Sequence, residues 1–304
     1  MSRQIFIDTD GQIDSLWGLL LAKRYLEVTG ISVCIGKNAE MEHSLKNVSG
    51  FAKMAGLECP LYKGSERCVL KHEKIVGPRF LPDGKCALPV PEGNTYADIP
   101  AWDAIYQAAE AAGGDLEIAC FGPMTNIALA IFKYPELPKK IKKIAFVGGS
   151  FDFGDYKRNT EINMAVDPEA ARAVFQSGIR MEMYGYHLER ESALTNGEIG
   201  QIVHGADGPY TTAFALCGMS HTPGAPIYYG PSLLALGLGT EDIISFERYN
   251  VFLEDAGTIC KGRTTPLNMY TPIGHPKDTL VAMHIDKEKY VQILKETLES
   301  YEAL

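Results

Sequence analysis

Apolar positions along the chain follow two alternating rhythms. Gln4 to Ile7 is a short, mostly apolar run of strand length, and from Ile13 to Glu27 the apolar residues at 13, 16, 17, 19, 20, 21, 25 and 26 cover a broad helical face. Ile31 to Ile35 predicts a second strand. Met41 to Ala55 predicts a helix that stops at Gly56, because glycine takes the left-handed C-terminal conformation without steric cost. After a break the rhythm returns as a helix over Ala101 to Ala112, a strand over Leu116 to Cys120, a helix over Ile127 to Phe132 and a strand over Ile144 to Val147. A helix opened by Asp167-Pro168-Glu169 then runs to Gln176, before a strand over Arg180 to Tyr186. Strands and helices in this succession predict an α/β protein with a parallel sheet.

The pattern weakens in two places. From Lys63 to Pro100 glycines, prolines and scattered charges show no sustained period, which predicts a long irregular segment of the kind that serves as a lid or binding loop. Beyond Leu188 helices are expected near Gly197 to Val203, Tyr210 to Cys217 and Pro231 to Leu236. Late strands are expected over Phe246 to Leu253 and Thr279 to Ala282, then a closing amphipathic helix from Lys287 to Tyr301. No repeat, low-complexity tract or linker interrupts the chain, so residues 1–304 are read as one domain.

Composition changes this picture little. Hydrophobic residues make up 46% and charged residues 22%, enough apolar material for a large core. A formal net charge of -9 argues against a nucleic-acid partner, since phosphate backbones are held by clustered Lys and Arg, and the basic run Lys139 to Lys143 is a short loop. Seven cysteines without a C-x-x-C pair fit neither a disulfide framework nor a zinc site and imply a reducing cytoplasm. No apolar run reaches bilayer-spanning length, and neither a leader nor a membrane association is expected.

Candidate chemistry gathers at the first strand end, where Asp8, Asp10 and Asp14 lie within seven residues. Ligands of α/β proteins bind outside the carboxyl ends of the strands, so acids there are placed for substrate or cation chemistry. One of them is alternatively a helix cap, but a cap needs only one Asp. Gly148-Gly149 after another buried strand permits close backbone approach to a ligand, without the third glycine of a dinucleotide loop.

In order, Asp8-Thr9-Asp10, Gly122-Pro123-Met124-Thr125-Asn126, Gly148-Gly149, Glu161-Ile162-Asn163 with Asp167-Pro168-Glu169-Ala170, and Gly257-Thr258 through Gly262 resemble the inosine-uridine preferring nucleoside hydrolases over nearly the whole chain. The resemblance implies a single doubly wound domain with extra C-terminal helices, hydrolysis of the N-glycosidic bond of ribonucleosides, and calcium at the carboxyl end of the sheet. By that likeness Asp10 ligates calcium and accepts a proton from water, Thr125 offers its backbone carbonyl to the metal, and Asp14, Glu161 and Asn163 hold the ribose. Asn38 and Asp155 stand where further ribose contacts are expected. The likeness also implies homodimers or homotetramers.

Two departures bear on the metal. Ser15 stands where the family has a second consecutive aspartate, and Tyr229-Gly230-Pro231 replaces the family's His-Asp-Pro. Calcium affinity follows ligand charge, so the expectation is no tightly bound cofactor and at best weak calcium held by Asp10 and Thr125. Asp10 then acts as a general base unaided. His187, beside Tyr184 and Tyr186, is a candidate leaving-group acid or a structural residue, and Tyr229 a candidate base-stacking or packing residue. The alternative to an enzyme is a riboside-binding protein of the same fold with impaired turnover.

Overall fold

The computed structural model describes residues 3–36, 41–70, 90–156, 159–205, 208–211, 226–267 and 278–303. Within these, ten strands form one sheet in the order β4-β3-β2-β1-β5-β6-β7-β10-β8-β9. The strands are β1 (Gln4–Thr9), β2 (Glu27–Val33), β3 (Leu61–Lys63), β4 (Tyr96–Pro100), β5 (Leu116–Cys120), β6 (Ile141–Val147), β7 (Met181–Tyr184), β8 (Ile244–Leu253), β9 (Thr264–Leu267) and β10 (Asp278–Ile285). Pairings from β4 through β7 to β10 are parallel, and only β8 runs against the rest, pairing antiparallel with both β10 and β9. Parallel strands need crossovers, and helices supply them. These are α1 (Ser15–Tyr25), α2 (Met41–Met54), α3 (Ala101–Ala111), α4 (Thr125–Lys133), α5 (Ile162–Val166), α6 (Pro168–Gln176), α7 (Tyr186–Ser192), α8 (Asn196–Ile202), α9 (Gly230–Gly239) and α10 (Lys287–Glu302).

The sheet is doubly wound. Ile5 and Ile7 of β1 join a core with residues of α1, α2, α9 and α10, while Phe6 joins the opposite core with residues of α3, α4 and α6. Burial on both faces explains why the central strands read as continuous apolar runs. Strand order reverses direction at β1, which is flanked by β2 on one side and β5 on the other. The crevice outside the carboxyl ends at such a switch point is where this architecture binds ligands.

Several boundaries differ from the sequence expectation. The Lys63 to Pro100 stretch contributes β4, and β3 ends where it begins; both are short strands at one sheet edge, where partial exposure leaves no long apolar run. The expected strand over Arg180 to Tyr186 ends at Tyr184, and α7 takes up Tyr186 because Gly185 supplies the extended residue before the helix. The polar stretch before Asp167 contains α5, and β9 joins β8 unannounced. Asn38, and the expected helix between Tyr210 and Cys217 beyond residue 211, lie outside the described residues. No helix among the described residues is long and apolar enough to cross a membrane.

Candidate active site

Thr9 ends β1, and the chain turns through Asp10 and Gly11 into α1. Asp8 points toward the α4 side, where its Oδ1 accepts hydrogen bonds from Ser32 Oγ at 2.5 Å and Asn126 Nδ2 at 2.8 Å. Asn126 also donates to the Val33 carbonyl and accepts from the Ser65 amide. Asp8 is therefore a buried tie between β1, β2 and α4. Burial pushes its carboxyl up to about 7 against the pull of these two donors.

Asp10 is 5% exposed, and its Oδ1 accepts from the Gln12 amide at 3.2 Å. Burial first and the neighbouring Asp14 second push its carboxyl up to about 8. The backbone around it is built for that carboxyl. A Cβ on Gly36 would lie 2.5 Å from Asp10 Oδ2, and one on Gly122 would lie 3.0 Å from Asp10 Cβ, so the ends of β2 and β5 close on this side chain through glycines. Asp14 holds the N-cap position of α1 but makes no side-chain capping bond, which removes the capping alternative for it.

Glu161 and Asn163 are ordered by the start of α5. Glu161 caps that helix, accepting from the amides of Asn163 at 2.8 Å and Met164 at 3.2 Å, and reaches the Gly149 amide at 3.0 Å. Gly149 has φ +74°, a conformation glycine adopts freely, and this turns its N–H toward the carboxylate. Burial and then Asp155 push the Glu161 carboxyl up while the three amides pull it down. The Asn163 amide group donates to the carbonyls of Phe121 at 3.2 Å and Val147 at 3.1 Å, bridging the ends of β5 and β6. With both N–H groups spent on backbone, its oxygen is the acceptor presented to a ligand. Asp155 accepts from the Ile162 amide at 2.8 Å and so lies across the same helix start.

The remaining expected residues stand elsewhere. Thr125, first residue of α4, donates its hydroxyl to Asp167 at 2.8 Å, and Asp167 caps α6. His187 lies in the first turn of α7, stacked on Phe151 at 5.3 Å, with Nε2 held 2.9 Å from the Ala282 carbonyl. Burial lowers its pKa, and the charges acting on it come from Asp152, Glu191 and His284. Nε2 is thus fixed to backbone, while Nδ1 is buried without a hydrogen-bond partner among the described residues. Tyr229 is 1% exposed and packs edge-on against Trp17 at 6.5 Å, so it belongs to the core and presents no stacking face. Sequence reasoning missed Glu189 of α7, a carboxyl whose charged neighbours are Glu161, Asp155 and Asp14. Its only sequence signal was the acid-rich run Glu189-Arg190-Glu191, which reads equally well as a solvated helix face.

Calcium meets a poor set of ligands here. Ser15 is fully buried, and its hydroxyl is engaged by Thr9 Oγ1 at 2.9 Å. Residue 230 carries no side chain, and the described residues contain no cluster of three acids, histidines or cysteines arranged for a metal ion. These residues do not fit a three-carboxylate calcium site.

Comparison with known proteins places this geometry. The sequence pattern of the inosine-uridine preferring nucleoside hydrolases matches residues 5–292. The pyrimidine-specific ribonucleoside hydrolase RihB of Escherichia coli strain K12 / DH10B is 25% identical over 98% of this chain and 98% of that protein. Among solved structures, a plant nucleoside hydrolase, the PpNRh1 enzyme, superposes with a TM-score of 0.87 at 24% identity, covering 98% of this chain and 99% of its own. A purine-preferring ribonucleoside hydrolase from Gardnerella vaginalis gives 0.85 at 24%, covering 99% of each chain.

Proposed function

The chain belongs to the inosine-uridine preferring nucleoside hydrolase family, and from that premise we propose that it hydrolyses the N-glycosidic bond of a ribonucleoside or related riboside. Asp10 is the general base, and Asp14, Glu161 and Asn163 hold the ribose, with Asp155 supporting Glu161. The observation that carries this reading is the Asn163 bridge. Its two N–H groups fasten α5 to the carbonyls of Phe121 and Val147, so the ribose-holding acid and amide stand at the strand ends that also enclose Asp10.

The chemistry follows from these groups. Asp10 takes a proton from water as the oxygen bonds to C1′ and the C1′–N bond to the base breaks. The sugar passes through an oxocarbenium-like state, and carboxylates around it stabilise the developing positive charge. Vicinal hydroxyls are donors, and Asp14, Glu161 and the Asn163 oxygen are acceptors that match them. Holding the sugar in register with the water is worth several orders of magnitude in rate on its own. His187 and Tyr229 have no part in this mechanism, and neither does a tightly bound metal.

A panel of purine, pyrimidine and nicotinamide ribosides, assayed for released ribose, tests the reading. Release from at least one riboside is expected. No product from any of them at high enzyme concentration, with and without added calcium, overturns it, and ligand-raised melting temperatures without product would identify an impaired riboside-binding protein instead. We also propose a cytoplasmic homodimer or homotetramer, to be checked by light scattering. The free thiols of Cys34, Cys59, Cys68, Cys120 and Cys260 suit a reducing compartment.

A further inference from the structure

Residue 230 has no side chain, and the space where one would begin is taken. A Cβ built on Gly230 would stand 2.7 Å from Glu189 Oε1 and 2.5 Å from Val147 Cγ1. Val147 ends β6, and its carbonyl is one of the two that hold Asn163, so this space adjoins the ribose-holding group. Glu189 reaches it from α7, whereas residue 230 would have reached it from the first turn of α9.

Glu189 lies in the first turn of α7, where the helix dipole favours an acid, but its side-chain neighbours oppose a charge there. The charges acting on Glu189 are Glu161 of the α5 cap, Asp155 of the preceding loop and Asp14 before α1, all of its own sign, and Tyr290 of α10 lies near it as well. No basic side chain among the described residues pairs with it, and no hydrogen bond to a described residue satisfies it. Burial pushes this carboxyl well above the usual range. A half-buried acid among like charges costs stability, and such groups concentrate at ligand sites.

We propose that Glu189 is a ribose-binding residue of this site, delivering from α7 the carboxyl that position 230 lacks and hydrogen-bonding a ribose hydroxyl alongside Glu161 and Asp14. The proposal rests on the riboside reading given above. A side chain at position 230 would press on Val147 Cγ1 at 2.5 Å and on Glu189 Oε1 at 2.7 Å, so an acid placed there would have to displace the Glu189 carboxyl.

The test uses the full chain and five proteins: wild type, Glu189→Gln, Glu189→Ala, Gly230→Asp, and Gly230→Asp combined with Glu189→Ala. Ribose binding is measured by calorimetry, kcat and KM with a hydrolysed riboside, and folding by thermal melts. Glu189→Ala is expected to weaken ribose binding roughly 10-fold and lower kcat/KM roughly 100-fold with the fold retained, while Glu189→Gln, which keeps a hydrogen-bonding head, stays within about 5-fold. Gly230→Asp alone is expected to lose binding, and the combined variant to regain at least about 10-fold over it, because distance-coupled sites are non-additive. A folded Glu189→Ala protein that binds ribose like wild type overturns the proposal, as does a combined variant no better than Gly230→Asp. If wild type binds ribose yet cleaves no riboside, the hydrolytic reading fails while the binding comparison still decides Glu189. A wild type that neither binds ribose at millimolar concentration nor cleaves any riboside overturns both.

Discussion

Asp10 has to be sheltered enough to be reactive and ionised enough to accept a proton. With its carboxyl pushed up to about 8 by burial and Asp14, only a minor fraction is ionised at neutral pH. Hydrolysis is therefore expected to climb with pH and level off above about 8, as a kcat/KM profile would record. Asp10→Asn should cost at least about 10³-fold in kcat. The same shift sets a stability cost with a definite sign. The folded protein keeps the proton that the unfolded chain releases near 3.8, so this group's contribution is complete below that value and is lost as pH rises through about 8. Asp10→Asn removes that loss, and its melting temperature should exceed that of wild type by an increasing margin from pH 5 to pH 9. A constant margin would show that Asp10 is not the buried titrating group. Gly36→Ala is the steric counterpart. Its added carbon meets Asp10 Oδ2 at 2.5 Å, and activity should fall about 100-fold while the melt moves by less than for a core truncation. At this scale Asp10, Asp14, Glu161 and Asn163 stand out as candidates because ordered motifs carry them. Glu189 does not, because its meaning comes from a neighbour far along the chain that lacks a side chain. Tyr229 and His187 could be read either way until packing fixed one to Trp17 and the other to a backbone carbonyl.

Elements join through polar ties as much as through apolar contact. Asn126 alone connects Asp8, the end of β2 and Ser65, two residues after β3, so one amide holds three strand connections and the start of α4 in register. Asn126→Ala leaves the Asp8 carboxyl with one donor and strands a buried carbonyl. A loss of about 2–4 kcal/mol is expected, read as a lower denaturant midpoint with unchanged slope. An unchanged midpoint would mean that water replaces the amide at no cost. The element map was legible where both faces of a strand are covered, as in β1, β5 and β6, since only apolar residues survive there. Strands β3, β4 and β9 lie toward the sheet edges, are three to five residues long and show mixed burial, so their pairing depends on neighbours that no local window contains. The α5 helix escaped notice for a related reason: it is one turn long and stands on the Glu161 cap more than on any periodicity.

For the molecule as a whole, the parallel α/β sheet was legible from alternation and its doubly wound form from the family likeness, and the strand order marks the crevice where such sheets bind ligands. The metal question is also a property of the whole site. Ser15 is committed to Thr9 and residue 230 carries no side chain, so calcium titrated into chelator-treated protein should produce no binding heat at micromolar concentration. A stoichiometric micromolar site would show that other oxygens have taken over the charge.

The placement of β1 at the middle of the sheet also governs how the protein is made. This strand is synthesised well before β5, yet Phe6, Ile7 and Asp8 acquire their partners on one side only when Ile118, Ala119 and Cys120 have been made. Until then its apolar residues and unpaired edge face the cell, and parallel pairing across so long a stretch of chain is slow to close. Productive yield should therefore depend on chaperone supply and on translation speed before β5 more than on the final stability of the fold.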